Sequence, residues 1–300
     1  MISLCILNQN NMNTKFLFIV PIIISLFLFN STSAQVPADL QQKLQDTLVH
    51  MKNLYHFKGL SASVSYKSTG VWKSASGESA DGVNLTTDDL IGIGSNTKTF
   101  VAAMMLKLVE NGQVHLYDTI GTWISGNPNI NGQITIRQLL NHTSGIASYT
   151  NNNDFWDSIS ADMNRIWSKQ EILAKFVTTP SFPVGTNWEY SNTNFIIVGL
   201  IEEQLTGKPV YQILRDSIFN PLALDHTFFP PHESPTYSYA QVYTDLGAGY
   251  SFWNFPFALN SSADAAGAID AIRGDGLGGT GIDAAAAGTA VVGGRWIGRK

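Results

Sequence analysis

Between Phe100 and Val109 the chain reads Phe-Val-Ala-Ala-Met-Met-Leu-Lys-Leu-Val, with Lys107 as its only charge. A helix that is apolar almost all round is stable only when other elements cover it. This segment must therefore run through the interior of a domain. It stops at Asn111-Gly112, a residue pair suited to a helix exit. With 300 residues, 44% of them hydrophobic and 14% charged, the chain can build one sizeable core or two lobes that share one.

The residues leading into that helix carry the chemistry. Ser95-Asn96-Thr97-Lys98 sets a serine and a lysine three apart, on one helical face, so the amine can reach the hydroxyl. The serine also lies near the helix end whose orphan N–H groups favour developing negative charge. Spacing alone is weak: with 12 Lys and 26 Ser in the chain, about one such pair is expected by accident. Taken alone, the pair reads better as a helix cap and a solvated lysine.

Composition removes several alternatives. Lys15 precedes a stretch from Phe16 to Phe29 that carries no charge, and Asn30 to Gln35 follows it. This is the pattern of a secretory leader over residues 1–34, cut after Ala34, with an apolar core short for a membrane span. Met12 is an alternative initiator. The single cysteine, Cys5, lies in the leader, so the exported part holds no disulfide, no cysteine nucleophile and no thiolate ligand. Removing the leader moves the net charge from −5 to about −6, because Lys15 is its only charge, which argues against a nucleic-acid partner. The six histidines show no His-Glu-x-x-His pattern, so no metal and no cofactor is expected. No stable membrane span is expected once the leader is gone, and the oligomeric state is open.

Coarse structure follows from periodicity. Leu40, Leu44, Leu48, Met51 and Leu54 repeat at helical spacing over 38–54. Gly59 to Tyr66 alternates with period two, Thr69-Gly70 turns, and Val71 to Ser74 can return antiparallel. Residues 136–140, 169–177 and 194–205 are helix candidates, the last ending at Thr206-Gly207. Tyr149 to Trp167, rich in Asn, Asp and Ser, is expected to be a long surface loop anchored by Phe155, Trp156 and Trp167. Residues 261–300 hold 10 Gly and 10 Ala. That composition fits a flexible extension or a disrupted reading frame better than a packed layer.

A second triplet, Tyr190-Ser191-Asn192, offers a phenol for proton transfer and an amide to orient substrate or lysine. The same spacing recurs at Tyr149-Thr150-Asn151, so it too is weak alone. The neighbours supply the context. Ile93 to Lys98, Leu139-Leu140-Asn141-His142-Thr143-Ser144-Gly145-Ile146 and Pro183 to Asn192 stand in order, with Leu116-Tyr117-Asp118, Ile218 to Leu222 and Thr227-Phe228 between and after them. In this order they resemble the serine β-lactamase and penicillin-binding protein superfamily, in its class C β-lactamase, D-alanyl-D-alanine carboxypeptidase and esterase branch. The resemblance runs from about residue 38 to 269.

It implies an α+β, β-lactamase/transpeptidase-like fold, with a helical lobe packed on an antiparallel sheet. The implied layout is a leader over 1–34, a hydrolase domain over 35–269 and an aberrant or flexible tail over 270–300. Ser95 would be the nucleophile, its backbone N–H half of an oxyanion hole. Lys98 or Tyr190 would be the base, and Asn192 would contact substrate. The substrate would be a small molecule or peptide: a β-lactam, an ester or a D-Ala-D-Ala-type peptide. A Ser144–His142 dyad is a rival for the histidine, with hydrogen-bonded scaffolding preferred. Tyr237, Tyr239, Tyr243, Tyr250, Phe252 and Trp253 either line a cleft or pack an inserted loop. The family's third motif, Lys-Thr-Gly or His-x-Gly on a C-terminal strand, has no counterpart: no Lys-Ser/Thr-Gly occurs and no histidine follows His232. An inactive binding homologue and a truncated product therefore stand as alternatives to an active enzyme.

Overall fold

A computed structural model describes residues 35–229 apart from 68, 69, 163 and 164, together with 232–234, 237, 238, 240, 259, 260, 290 and 291. The leader expected at 1–34, and all of the 261–300 segment except 290 and 291, lie outside the described residues.

The chain enters through α1 (Ala38–Leu54), with Asp39 in its first turn and Lys52 in its last, each suited to the helix dipole. Of its predicted apolar face, Leu40, Leu44 and Leu48 pack with Leu60 and Trp72 of the following hairpin. Met51 and Leu54 stay exposed, because that cluster covers only the first three turns. The hairpin comprises β1 (Gly59–Tyr66) and β2 (Gly70–Ala80), in antiparallel register from Gly59↔Gly77 to Tyr66↔Gly70. β2 runs six residues past the expected Ser74. β3 (Val83–Asn84) pairs with that extension, and β7 (Ala290–Val291) pairs with the other side of β1, giving the order β3-β2-β1-β7. A second small sheet joins β4 (Ile91–Gly92), β6 (Leu259–Asn260) and β5 (Thr227–Phe228), with β6 in the middle. Of the C-terminal strands the family resemblance leads one to expect, the described residues thus contain two short ones.

From β4 a 3₁₀ turn over Gly94–Asn96 feeds α2 (Thr97–Glu110), the apolar helix of the sequence. Phe100, Val101, Met104, Met105 and Leu108 are buried, and Phe100 meets Phe219 edge-on at 5.3 Å. Leu106, on the remaining stripe, is 45% exposed, so the cover is not complete. Around α2 stand α3 (Ile136–Leu140), α6 (Asn192–Thr206) and α7 (Val210–Leu214), and their inward residues form one continuous core. α3 is only five residues long and is fixed by a capping box between Thr135 and Gln138. α6 begins two residues earlier than expected and ends at Gly207, whose φ of 69° closes the helix in the left-handed region.

The region expected to be a surface loop contains a helix, α4 (Asn153–Ala161). Asn152 caps it by accepting the Asp154 N–H, and Phe155 and Ile159, four apart, sink against Ile172 and Phe176 of α5 (Lys169–Phe176). The polar residues that suggested a loop form the outer face of this helix. Of the three expected aromatic anchors, Phe155 is buried and Trp167 packs on Phe176 at 5.2 Å, with the Arg165 guanidinium 3.8 Å from its ring, whereas Trp156 is 39% exposed.

Among the described residues, one acidic side chain is enclosed in the helical lobe. Glu202 of α6 is fully buried, and neither carboxylate oxygen has a hydrogen-bond partner among the described residues. Burial, and secondarily the neighbouring Glu203 charge, hold its carboxyl well above the usual carboxylate range, with Lys169 opposing. Its proton is therefore held more tightly than that of an ordinary carboxyl.

Candidate active site

Ser95 stands where β4 passes into α2, exposed in its 3₁₀ turn. One turn on, the half-buried Lys98 reaches back, and its Nζ donates to Ser95 Oγ at 3.0 Å. Across a sequence gap of 95 residues, the Tyr190 hydroxyl donates to the same oxygen at 2.6 Å. Ser95, Lys98 and Tyr190 are thus brought together. Both lone-pair positions of Ser95 Oγ are engaged by groups that become proton acceptors once they lose a proton. Either one, deprotonated, can take the serine proton along a hydrogen bond already in place.

Asn192, the first residue of α6, completes the arrangement. Its Oδ1 accepts a second bond from Lys98 Nζ at 2.8 Å, while its Nδ2 donates to Thr150 Oγ1 at 3.0 Å and, more loosely, to Ser148 Oγ at 3.4 Å. The two hydroxyls fix which end of the amide faces the lysine. Of the two partners expected for this amide, substrate or lysine, it engages the lysine. Among the described residues no carboxylate pairs with Lys98. Its ammonium instead lies 5.0 Å from the centre of the Tyr190 ring and 5.7 Å from that of Phe195.

Behind the tyrosine lies the His-Thr-Ser-Gly segment. His142 adopts φ 62°, and its backbone C=O accepts the Glu189 N–H at 3.1 Å. Its Nδ1 accepts the Ser191 N–H at 3.2 Å. Its ring lies 4.7 Å from that of Tyr190 and 5.5 Å from that of Phe195. Burial, and secondarily the Lys98 charge, push the imidazole pKa below its ordinary value. Ser144 does not form a dyad with it: the buried Ser144 hydroxyl donates to Asn194 Oδ1 at 2.7 Å and accepts the Ile146 N–H at 3.1 Å. Gly145 is needed where it stands, since at φ 77° a Cβ would come within 2.1 Å of the Phe182 carbonyl oxygen.

Several residues of this arrangement were not singled out from sequence. Ser148 and Thr150 hold Asn192. Thr193 donates to the Ala147 carbonyl at 2.7 Å and accepts the Tyr149 N–H at 3.0 Å, tying the 147–150 segment to α6. The signal was present in the second Tyr-x-Asn copy, whose middle residue is Thr150. Tyr237, a candidate cleft residue, packs on His226 at 4.2 Å and on Phe228 at 6.1 Å. Tyr239, Tyr243, Tyr250, Phe252 and Trp253 lie outside the described residues.

A cavity of about 530 Å³ adjoins Lys98 and Asn192 and continues past Phe195, Trp167 and Tyr211. Neither Ser95 nor Tyr190 lines it, so it backs the lysine instead of opening over the nucleophile. Among the described residues no group of three or more His, Cys, Asp or Glu is placed to hold a metal, and no helix is long and apolar enough to cross a membrane.

A helical lobe on an antiparallel sheet, with a serine between a lysine and a tyrosine, defines a β-lactamase/transpeptidase-like serine hydrolase fold. Solved structures bear this out. D-amino acid amidase from Ochrobactrum anthropi SV3 superposes with a TM-score of 0.68 at 28% identity, over 79% of this chain and 70% of the amidase. A D-stereospecific amidohydrolase from Streptomyces sp. gives 0.66 at 28% identity, over 76% and 71%. The family model described as Beta-lactamase matches residues 44–290, and the chain belongs to that family. Penicillin-binding protein 4* of Bacillus subtilis is 30% identical over 167 residues, which cover 53% of this chain and 36% of that protein. A putative D-alanyl-D-alanine carboxypeptidase of Escherichia coli O157:H7 is 33% identical over 164 residues, covering 51% and 36%. The chain spans about a third of the length of these curated relatives.

Proposed function

We propose that this chain is an exported serine hydrolase that opens the carbonyl of a D-amino-acid amide or D-alanyl peptide through an acyl-enzyme on Ser95. The observation that carries the reading is the convergence of Lys98 Nζ and the Tyr190 hydroxyl on Ser95 Oγ, at 3.0 and 2.6 Å. In the first step Ser95 Oγ bonds to the carbonyl carbon while its proton passes to whichever of the two groups is deprotonated. The carbon–nitrogen bond then breaks, and the amine leaves with a proton returned by the Lys98–Tyr190 pair. Water repeats the sequence to release the acid. Asn192 keeps the lysine aimed, and the Ser95 backbone N–H serves as one oxyanion donor, a contribution on the order of 3 kcal/mol. The D-amide and D-peptide class is suggested by the names of the amidase and carboxypeptidase relatives. The leader over 1–34 supports export, and 35–269 is proposed as the hydrolase domain.

The test is covalent labelling with a fluorophosphonate and with a fluorescent penicillin, beside Ser95→Ala. Labelling of the parent chain and none of the variant is the expected result. Equal labelling of both, or none of either, removes the proposal. The cavity beside Lys98 and Asn192, which neither Ser95 nor Tyr190 lines, favours a second reading, a binding protein without turnover. Ligand affinity unchanged by Ser95→Ala, with no product formed, selects it.

A further inference from the structure

We propose that His142 is a positioning residue for Tyr190: its neutral imidazole, with Nδ1 accepting the Ser191 N–H, sets where the phenol meets Ser95. The inference rests on the acyl-enzyme reading for its kinetic consequence, although the tautomer it assigns does not. Tyr190 and Ser191 are adjacent, so an imidazole that grips the Ser191 N–H at 3.2 Å and lies 4.7 Å from the phenol ring restrains the tyrosine at its backbone and at its ring. The His142 backbone grips the preceding turn as well, through the Glu189 N–H. One side chain therefore connects the His-Thr-Ser-Gly segment to the residue 2.6 Å from the nucleophile.

The hydrogen bond dictates the protonation state. An Nδ1 that accepts cannot carry a proton, so the hydrogen of the neutral ring is on Nε2. The surroundings favour this form. Lys98 approaches from α2 with a positive charge; Tyr190 faces the ring from the 182–191 segment; Asn194 and Phe195 of α6 are neutral; and the Glu189 side chain is engaged by the Ser181 hydroxyl at 3.0 Å. Protonating Nδ1 sets two donors, the imidazolium and the Ser191 N–H, against each other and adds a second cation beside Lys98. The tyrosine segment then loosens and Ser95 acylation slows. His142 thus adds an acid limb to the reaction without touching substrate.

The left-handed φ of His142 guides the choice of variants. Asn tolerates that conformation and can offer Oδ1 to the Ser191 N–H, whereas Gly retains only the backbone freedom. The experiment measures the rate of fluorophosphonate labelling of the full chain from pH 5 to 9, with melting curves to mark where each protein is folded. The parent chain should show a plot of log rate against pH that steepens by about one further unit of slope below the His142 titration. His142→Asn should retain the neutral-pH rate within about threefold and lose that added slope; His142→Gly should fall about tenfold, as for a lost hydrogen bond. The same added slope in His142→Asn overturns the proposal. A long-range proton–nitrogen spectrum of imidazole-labelled Ser95→Ala, in which labelling plays no part, must show protonated Nε2 and bare Nδ1 at neutral pH. The opposite tautomer overturns the proposal even if the enzyme is active. If the parent chain is never labelled, the acyl-enzyme reading fails instead, and the spectrum still decides the tautomer.

Discussion

Two segments of this chain share one pattern, Tyr149-Thr150-Asn151 and Tyr190-Ser191-Asn192, and the fold sets them side by side with different work to do. Tyr190 is 38% exposed, with its hydroxyl on Ser95. Tyr149 meets Phe155 edge-on at 4.8 Å, and burial, with the nearby Tyr190 adding to it, pushes its phenol up to about 12. Asn192 is bonded to Lys98, and the other copy braces the site through the Thr150 hydroxyl, which holds Asn192 in place, and through the Tyr149 N–H, which bonds Thr193. Equal spacing thus yields one segment that faces the nucleophile and one that braces it, because burial and partners, not residue type, decide what a phenol can do.

The contrast is sharpest at the tyrosines. Tyr190→Phe should slow Ser95 labelling by about 10²- to 10³-fold, the scale of a lost proton-transfer group, whereas Tyr149→Phe should stay within about threefold. Comparable losses in both would break the distinction. A smaller effect is expected at the asparagines. Asn192→Ala frees the lysine head and should lower the labelling rate about 10- to 100-fold, as for a hydrogen bond to a charged group; Asn151→Ala should leave it unchanged.

A further effect is one of stability, seen only at high pH. With a folded pKa of about 12 against an ordinary 10, Tyr149 keeps its proton longer in the folded chain than in the unfolded one. Its contribution is complete below pH 10 and declines from there toward 12 by roughly 1.4 kcal/mol per unit. Melting curves at successive pH values above 10 should therefore fall more steeply for the parent chain than for Tyr149→Phe. Parallel slopes would show that the two phenols are not set apart.

Much of the frame is legible in the sequence because it rests on local pattern. The apolar run of α2, the alternation of β1 and the Gly207 stop of α6 each mark an element within a few residues of its ends. α4 is hidden because its outer face is as polar as a loop and its buried face is just Phe155 and Ile159. β3 to β7 are two residues each, too short for a period of two to show. In the site, Ser95, Lys98, Tyr190 and Asn192 carry recognisable spacings. The bonds that fix them do not: Thr150 and Ser148 meet Asn192 across gaps of 42 and 44 residues, and His142 meets Ser191 across 49.

Glu202 gives the molecule a dependence on its medium that no exposed residue reveals. Packing α6 raises its carboxyl well above the ordinary carboxylate range, so the folded chain keeps a proton on it at pH values where an open chain has begun to release it. Hydrogen ion thereby behaves as a ligand of the native state. As the pH falls through its raised folded value, this group deepens the native well until about pH 4.5, where the unfolded carboxyl is also protonated. His142, which must lose a proton to hold the tyrosine segment, draws the balance the opposite way. The buried acid that favours the packed chain in acid and the imidazole that favours it nearer neutrality together confine the pH range in which this chain is both well folded and correctly set around Ser95.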